Sequence, residues 1–123
     1  MDREWNDRQP IYRQIRERIV AMILEGTLGE GHSLPSVRNV AADLRVNPLT
    51  VLKAYRELAD EEVVEPRRGV GMFVSAGAAS RLQASERSRF LAEEWPAVLA
   101  TIKRLGLSLE QLATEAKAFA KRK

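Results

Sequence analysis

The chain has 123 residues, 45% of them hydrophobic and 30% charged, and its 20 Lys/Arg against 17 Asp/Glu leave a net charge of +3. That length supports one core of ordinary size with a small appendage, and the composition excludes wholesale disorder and collagen-like structure. No apolar run reaches the roughly 18 residues of a membrane span, and the polar start MDREWNDRQP lacks the apolar stretch of a secretory signal. Zero cysteines and one histidine, His32, exclude disulfides, thiolate zinc sites and histidine-rich metal sites, and suit a cytoplasmic protein.

Residues 1–9 are polar apart from Trp5 and read as a flexible N-terminal arm. Trp5 has two readings, an anchor on a partner subunit or a disordered residue. Pro10 suits the first position of a helix, on which Ile11, Ile15, Ile19, Met22 and Ile23 form an apolar face. Gly26 ends that helix, and GTLGEGHSLP is a loop. Ser36 caps a second helix with the stripe Val37, Val40, Ala41 and Leu44, and Asn39 three residues on makes a partial capping box. A short turn leads to a third helix, capped by Asn47 and started by Pro48, which buries Val51, Ala54, Tyr55 and Leu58.

After Asp60-Glu61-Glu62 the period changes. Val63-Val64 and Val70–Val74 flank a turn that contains Gly69 and predict a β-hairpin. The small residues that follow predict a linker at 76–80. Beyond it Leu82, Phe90, Leu91, Trp95, Val98, Leu99, Ile102 and Leu105 recur at helical spacing, with Pro96 placed to kink or split the run. Gly106 stops this helix. Ser108 and Gln111 form a capping box, with Leu107 and Leu112 placed as a hydrophobic staple. The last helix carries Leu109, Leu112, Ala116 and Phe119 and ends in the basic tail Lys121-Arg122-Lys123. The expected fold is mainly α with a small β-hairpin.

Charge is informative through its placement. Residues 1–75 hold eleven Lys/Arg and twelve Asp/Glu, whereas residues 76–123 hold nine and five. Any capacity for DNA in the first part therefore rests on local sorting. Arg38, Arg45, Lys53 and Arg56 face Asp43 alone between 32 and 56, while acids collect between 57 and 65.

Three helices and a hairpin, with a short turn between the second and third helices, follow the order of a winged helix-turn-helix. In that arrangement the third helix enters the major groove and a basic hairpin grips adjacent phosphate or minor groove. With the apolar stripe turned inward, Leu49, Thr50, Lys53 and Arg56 point outward, and the start of the helix carries no acid to repel phosphate. The segments Pro10-Ile11-Tyr12, Leu34-Pro35-Ser36-Val37-Arg38, Val46-Asn47-Pro48-Leu49-Thr50-Val51 and Arg67-Arg68-Gly69-Val70-Gly71-Met72-Phe73-Val74 resemble, in this order, the GntR family of bacterial transcriptional regulators. The resemblance covers residues 10–75. The short two-helix end resembles the YtrA-type subfamily, which lacks the large effector domain of other branches.

The resemblance implies a homodimer on a palindromic operator of double-stranded DNA, with residues 81–123 as the dimerisation region. It implies DNA contact by Arg38 from the second helix, by Asn47, Leu49, Thr50 and Lys53 from the start of the third, and by Arg68 and Gly69 from the wing tip. Ser36, Arg56 and Arg67 complete the candidate DNA-binding set. Leu49 departs from the polar residue of many relatives and suits contact with a thymine methyl. Pro48 shapes the helix start.

Plainer readings compete. Arg38, Thr50 and Lys53 could be a solvated face, and Arg67-Arg68 could be turn charges or protection of an edge strand; the surrounding motifs favour DNA. His32 reads as a loop residue. Phe90, Trp95 and Phe119 could line an effector pocket. A dimer interface formed by Phe90, Leu91, Trp95, Val98, Leu99, Ile102, Leu105, Leu109, Leu112 and Phe119 is favoured, because two amphipathic helices cannot easily bury such faces within one chain.

No cofactor, metal or membrane partner is expected, and no effector is legible. A second function, a winged-helix protein–protein adaptor, draws support from the acids at 57–65. An enzyme is disfavoured: there is no nucleophile–base pair, zinc-ligand spacing or P-loop, Gly69-Val70-Gly71 is too short for nucleotide binding, and Asp60, Glu61 and Glu62 splay apart on a helix end.

Overall fold

The apolar stripe of the third helix organises the core. In the computed structural model, which describes residues 4–122, Val51, Ala54, Tyr55 and Leu58 of helix α3 (Pro48–Asp60) are all buried. Helix α1 (Ile11–Glu25) supplies Ile15, Ile19, Val20 and Ile23 to the same core, and helix α2 (Val37–Leu44) supplies Val40, Ala41 and Leu44. Strands β1 (Val64–Arg67) and β2 (Gly71–Val74) pair antiparallel, with Val64 opposite Val74 and Arg67 opposite Gly71. Val63, Val64 and Val74 seal the core at the base of this hairpin. Helix α4 (Ala78–Arg89) follows, then a π-helical turn (Phe90–Glu94), helix α5 (Trp95–Arg104) and helix α6 (Leu109–Lys121). The chain divides into two compact units, residues 1–84 and 85–123, with the boundary inside α4. Met1 to Arg3 of the expected arm and Lys123 of the basic tail lie outside the described residues.

Local chemistry explains the helix ends. The Ser36 hydroxyl accepts from the Asn39 N–H at 3.0 Å, and Asn47 Oδ1 accepts from the Leu49 N–H at 2.8 Å. Between these caps Arg45 closes α2 in the left-handed region, at φ 57° and ψ 47°. A side chain there costs about 1–2 kcal/mol relative to right-handed backbone. In the second unit Gly106 adopts φ 67°, and the N–H groups of Gly106 and Leu107 return to the carbonyls of Lys103 and Ile102, a Schellman motif. Both bonds of the Ser108–Gln111 capping box are present. Pro96 cannot donate within a helix and crowds the preceding turn. The backbone widens ahead of it, Trp95 N–H reaching back to Phe90, and a new α-helix starts at Trp95.

Three expectations change. Residues 4–9 are not a loose arm. Gln14, itself buried, accepts from Asn6 N–H and donates to the carbonyls of Asn6 and Gln9, and Trp5 packs against the core with the Arg18 guanidinium 4.1 Å from its ring centroid. Residues 76–80 are not a linker, because α4 begins at Ala78, and Ala78 and Leu82 are buried in the first unit. Their small side chains serve close packing. Finally, part of the loop before α2 adds to the sheet. Leu34 N–H donates to Met72 O at 2.8 Å and Val74 N–H to His32 O at 2.9 Å, which places β2 between β1 and residues 31–34.

Tyr55 ties α3 to the entry of α2, its hydroxyl donating to the Pro35 carbonyl at 2.7 Å. Burial pushes the Tyr55 pKa well up from its ordinary value. A raised tyrosine favours the neutral folded form, so its contribution is complete below the unfolded value of about 10 and is lost as pH rises above it. Tyr55→Phe is therefore expected to cost about 1 kcal/mol at neutral pH and to lose stability less steeply than wild type above about pH 10. Urea midpoints at both pH values check this.

Candidate nucleic-acid interface

The first unit presents three outward elements: α2, the start of α3 and the hairpin tip. Because α3 buries positions 51, 54, 55 and 58, its opposite side exposes Leu49, Lys53 and Arg56, with Thr50 half-buried. Leu49 is 69% exposed, far more than its chemistry favours in a lone chain. Arg38 projects from the exposed side of α2. At the hairpin tip Val70 N–H closes a turn onto Arg67 O at 2.9 Å, and Gly69 takes φ 73°, which a side chain would strain. Arg68 and Val70 are exposed there.

Within the first unit the cations fall into two groups. Arg16, 1% exposed, makes a bidentate bond to Glu61 (2.8 and 2.6 Å) and also reaches Glu17 at 3.0 Å. Arg13 pairs with Glu57 at 2.9 Å. Helix α1 thus discharges much of the acidic end of α3. By contrast Arg38, Arg56 and Arg68 have no ion pair or hydrogen bond among the described residues. Arg67 lies flat against the wing, 4.1 Å from the Phe73 ring centroid and 3.3 Å from Glu65, which leaves Arg68 as the freer tip cation.

Two candidate side chains already have structural work. Ser36 and Asn47 use an oxygen as a cap, so what they can offer outward is the Ser36 hydroxyl proton and the Asn47 amide hydrogens. Tyr12 stands outside the expected DNA-binding set, yet the Lys53 ammonium sits 4.1 Å from its ring centroid. The only sequence signal for it is a tyrosine off the Ile11–Ile15–Ile19 stripe of α1; its partner, forty-one residues away, is not legible. The same holds for Arg13 and Arg16, whose partners lie 44 and 45 residues on.

The second unit carries the candidate dimerisation residues. Phe90 and Trp95 approach with ring centroids 6.3 Å apart. No residue of the π-helical turn, α5 or α6 is fully buried, and Leu91, Val98, Leu99, Leu105, Leu109 and Phe119 are exposed. An apolar groove of about 520 Å³ runs along Pro96, Leu99, Ile102 and Leu109. Phe90, Trp95 and Phe119 do not line it.

A family model described as bacterial regulatory proteins, gntR family, matches residues 11–74, from the start of α1 to the end of β2. The chain belongs to the GntR family. It is 32% identical to the HTH-type transcriptional regulator YhcF of Bacillus subtilis, with 97% of each chain covered. It is 35% identical to the HTH-type transcriptional repressor YtrA of the same organism, over 84% of this chain and 78% of YtrA. A GntR-family regulator from Bacteroides thetaiotaomicron, solved by crystallography, superposes with a TM-score of 0.72 at 34% identity, covering 92% of this chain and 98% of that one.

This GntR protein is therefore a YtrA-like, DNA-binding transcription regulator built on a winged helix-turn-helix. Members of the family are regulatory proteins rather than enzymes. Among the described residues no helix is long and apolar enough to cross a membrane. The capping role of Asn47 can be isolated by thermal or urea unfolding. Asn47→Ala should cost about 1 kcal/mol, whereas Asn47→Asp, which keeps an accepting oxygen at the cap, should stay near wild type.

Proposed function

We propose that this GntR regulator is a cytoplasmic repressor that binds a palindromic operator as a homodimer, with α3 of each protomer in one of two successive major grooves. The observation that carries the reading is the sorting of charge. Glu57 and Glu61 are engaged by α1, while Arg38, Arg56 and Arg68 stand exposed on the elements that would face DNA. Arg38, Lys53, Arg56, Arg67 and Arg68 supply phosphate or base-edge contacts. Gly69 lets the wing backbone approach, and Ser36, Asn47 and Thr50 donate at the groove edge. Leu49 meets a thymine methyl, which accounts for an exposed leucine among polar neighbours. Repression is supported by the likeness to YtrA, which is named a transcriptional repressor. An adaptor role has less support, because two of the acids it would use, Glu57 and Glu61, are paired inside the unit.

Dimerisation through residues 81–123 is supported by the exposed apolar side chains of α5 and α6, which a second copy would cover: Val98, Leu99, Leu105, Leu109 and Phe119, together with the half-buried Ile102 and Leu112. Phe90, Leu91 and Trp95 extend that surface toward α4.

Selection from a random duplex pool should recover a palindromic consensus; no enrichment would sink the reading. On the recovered duplex, Arg38→Ala and Lys53→Ala should each weaken binding about tenfold, equivalent to about 1.4 kcal/mol, and affinity should fall steeply with salt through counterion release. Unchanged affinity in both variants would remove this face from consideration. Leu99→Asp should convert a dimer to a monomer in analytical ultracentrifugation, with α-helical content of the first unit retained. A variant that stays dimeric would place the interface elsewhere.

A further inference from the structure

Arg45 occupies a position that suits glycine. Its backbone is left-handed, it closes α2, and its neighbour Val46 donates back to Ala41 O at 3.0 Å. The tight turn requires that conformation, and glycine or asparagine would adopt it with less strain. Only one other non-glycine among the described residues has positive φ, and it serves as an internal comparison. That residue, Glu62, is held by the fold: its N–H donates to Ala59 O and its carbonyl accepts from Arg81 at 2.6 Å. The turn at Arg45 is likewise held by backbone bonds, the N–H groups of Arg45 and Val46 both donating to Ala41 O, so the Arg45 side chain is not needed to hold its own turn. It is exposed and makes no hydrogen bond, ion pair or ring contact among the described residues. It leaves the chain two residues before Asn47, the cap of α3, on the turn that joins α2 to the candidate reading helix. A long cation kept at a strained turn, with no internal partner, points to an external one.

We propose that Arg45 binds a DNA backbone phosphate beside the groove that α3 enters, and so sets how deeply and at what angle α3 docks. The proposal rests on the DNA-reading face described above and adds a phosphate anchor to it. A guanidinium on a turn outside the helix suits phosphate oxygens, which its planar fork engages with two parallel hydrogen bonds. Such an anchor positions the protein and carries no sequence information of its own.

The test uses the full chain and two probes: a random-sequence duplex at low salt and the duplex recovered by selection. Arg45→Gly should have a Tm equal to or above wild type, since the strain is relieved, and should bind both duplexes more weakly by a similar factor, about three- to tenfold. The slope of log affinity against log salt should become shallower by about 0.9 for each phosphate that is no longer neutralised. Arg45→Asn, which also tolerates the left-handed turn, should behave alike, and Arg45→Lys should restore most of the slope. Wild-type affinity and slope in the Gly and Asn variants, with Lys53→Ala still impaired, would overturn the role of Arg45 alone. A weakening confined to the selected duplex would overturn phosphate as its target. If Arg38→Ala and Lys53→Ala also bind like wild type, the reading face itself fails and this inference with it.

Discussion

Pairing between α1 and α3 forms a ladder of three rungs on which the first unit depends. Tyr12 meets Lys53, Arg13 meets Glu57, and Arg16 meets Glu61, so the α3 partners recur every four residues along one face. The last rung is the costly one. A guanidinium 1% exposed carries a desolvation penalty of several kcal/mol unless its partner is well placed. Glu61 meets that condition with both oxygens. Sliding α3 by one residue relative to α1 would take the bidentate Glu61 from the buried Arg16 and leave it Glu17 of its own helix, so the ion pair reinforces the register that the buried α3 stripe also selects. In the middle rung Arg13 engages only Oε1 of Glu57, and Glu57 Oε2 is buried without a hydrogen-bond partner among the described residues.

The ladder also determines the electrostatic character of α3. Helix α3, which on the proposed reading approaches phosphate, carries Glu57 in its last turn and Glu61 at its end, within a segment that is slightly acidic overall. Pairing two of these carboxylates with α1 confines negative charge to the far end, while the first turn contains no acid and begins with an Asn47 cap and Pro48. The first rung has the complementary effect on the outward side. With its ammonium against the Tyr12 ring, Lys53 keeps its charge near the middle of α3, and on the proposed reading it would lose less entropy on binding DNA than a freely rotating lysine. The total of +3 describes neither effect; function follows from which charges are paired inward and which are left outward.

What was legible in the sequence was what period and caps encode locally. The α3 stripe emerged residue for residue, as did the capping roles of Ser36, Asn47 and Ser108, because a cap and its target lie two or three residues apart. What was not legible depended on long-range pairing or on the two meanings of a small residue. Ala78 and Ala79 read as flexible by composition, but their size lets α4 approach the core. Residues 31–34 read as loop because three glycines precede Leu34, yet they find hydrogen-bond partners on β2. The polar arm behaves similarly: Gln14, a residue type common at the surface, is buried because its amide satisfies the backbone of Asn6 and Gln9. Of the candidate site, the outward positions were readable from the inward ones, whereas the partners Tyr12, Arg13 and Arg16 were not.

The second unit poses the opposite problem, strong local signals with little burial to support them. Its stop at Gly106 and restart at Ser108 use a Schellman motif and a complete capping box, which fix where α5 and α6 end and begin whatever packs on them. Such caps are worth about 1 kcal/mol each, too little to hold helices of 10 and 13 residues that are marginal in water on their own. The lone chain supplies no compensating core, since no α5 or α6 residue is fully buried. On the proposed reading that deficit is made up by a second copy. Ordering of α5 and α6 then becomes coupled to association and hence to protomer concentration. The two units would differ in kind: the first carries its own core and holds the cations in place, and the second gains its core only when two reading heads are brought together.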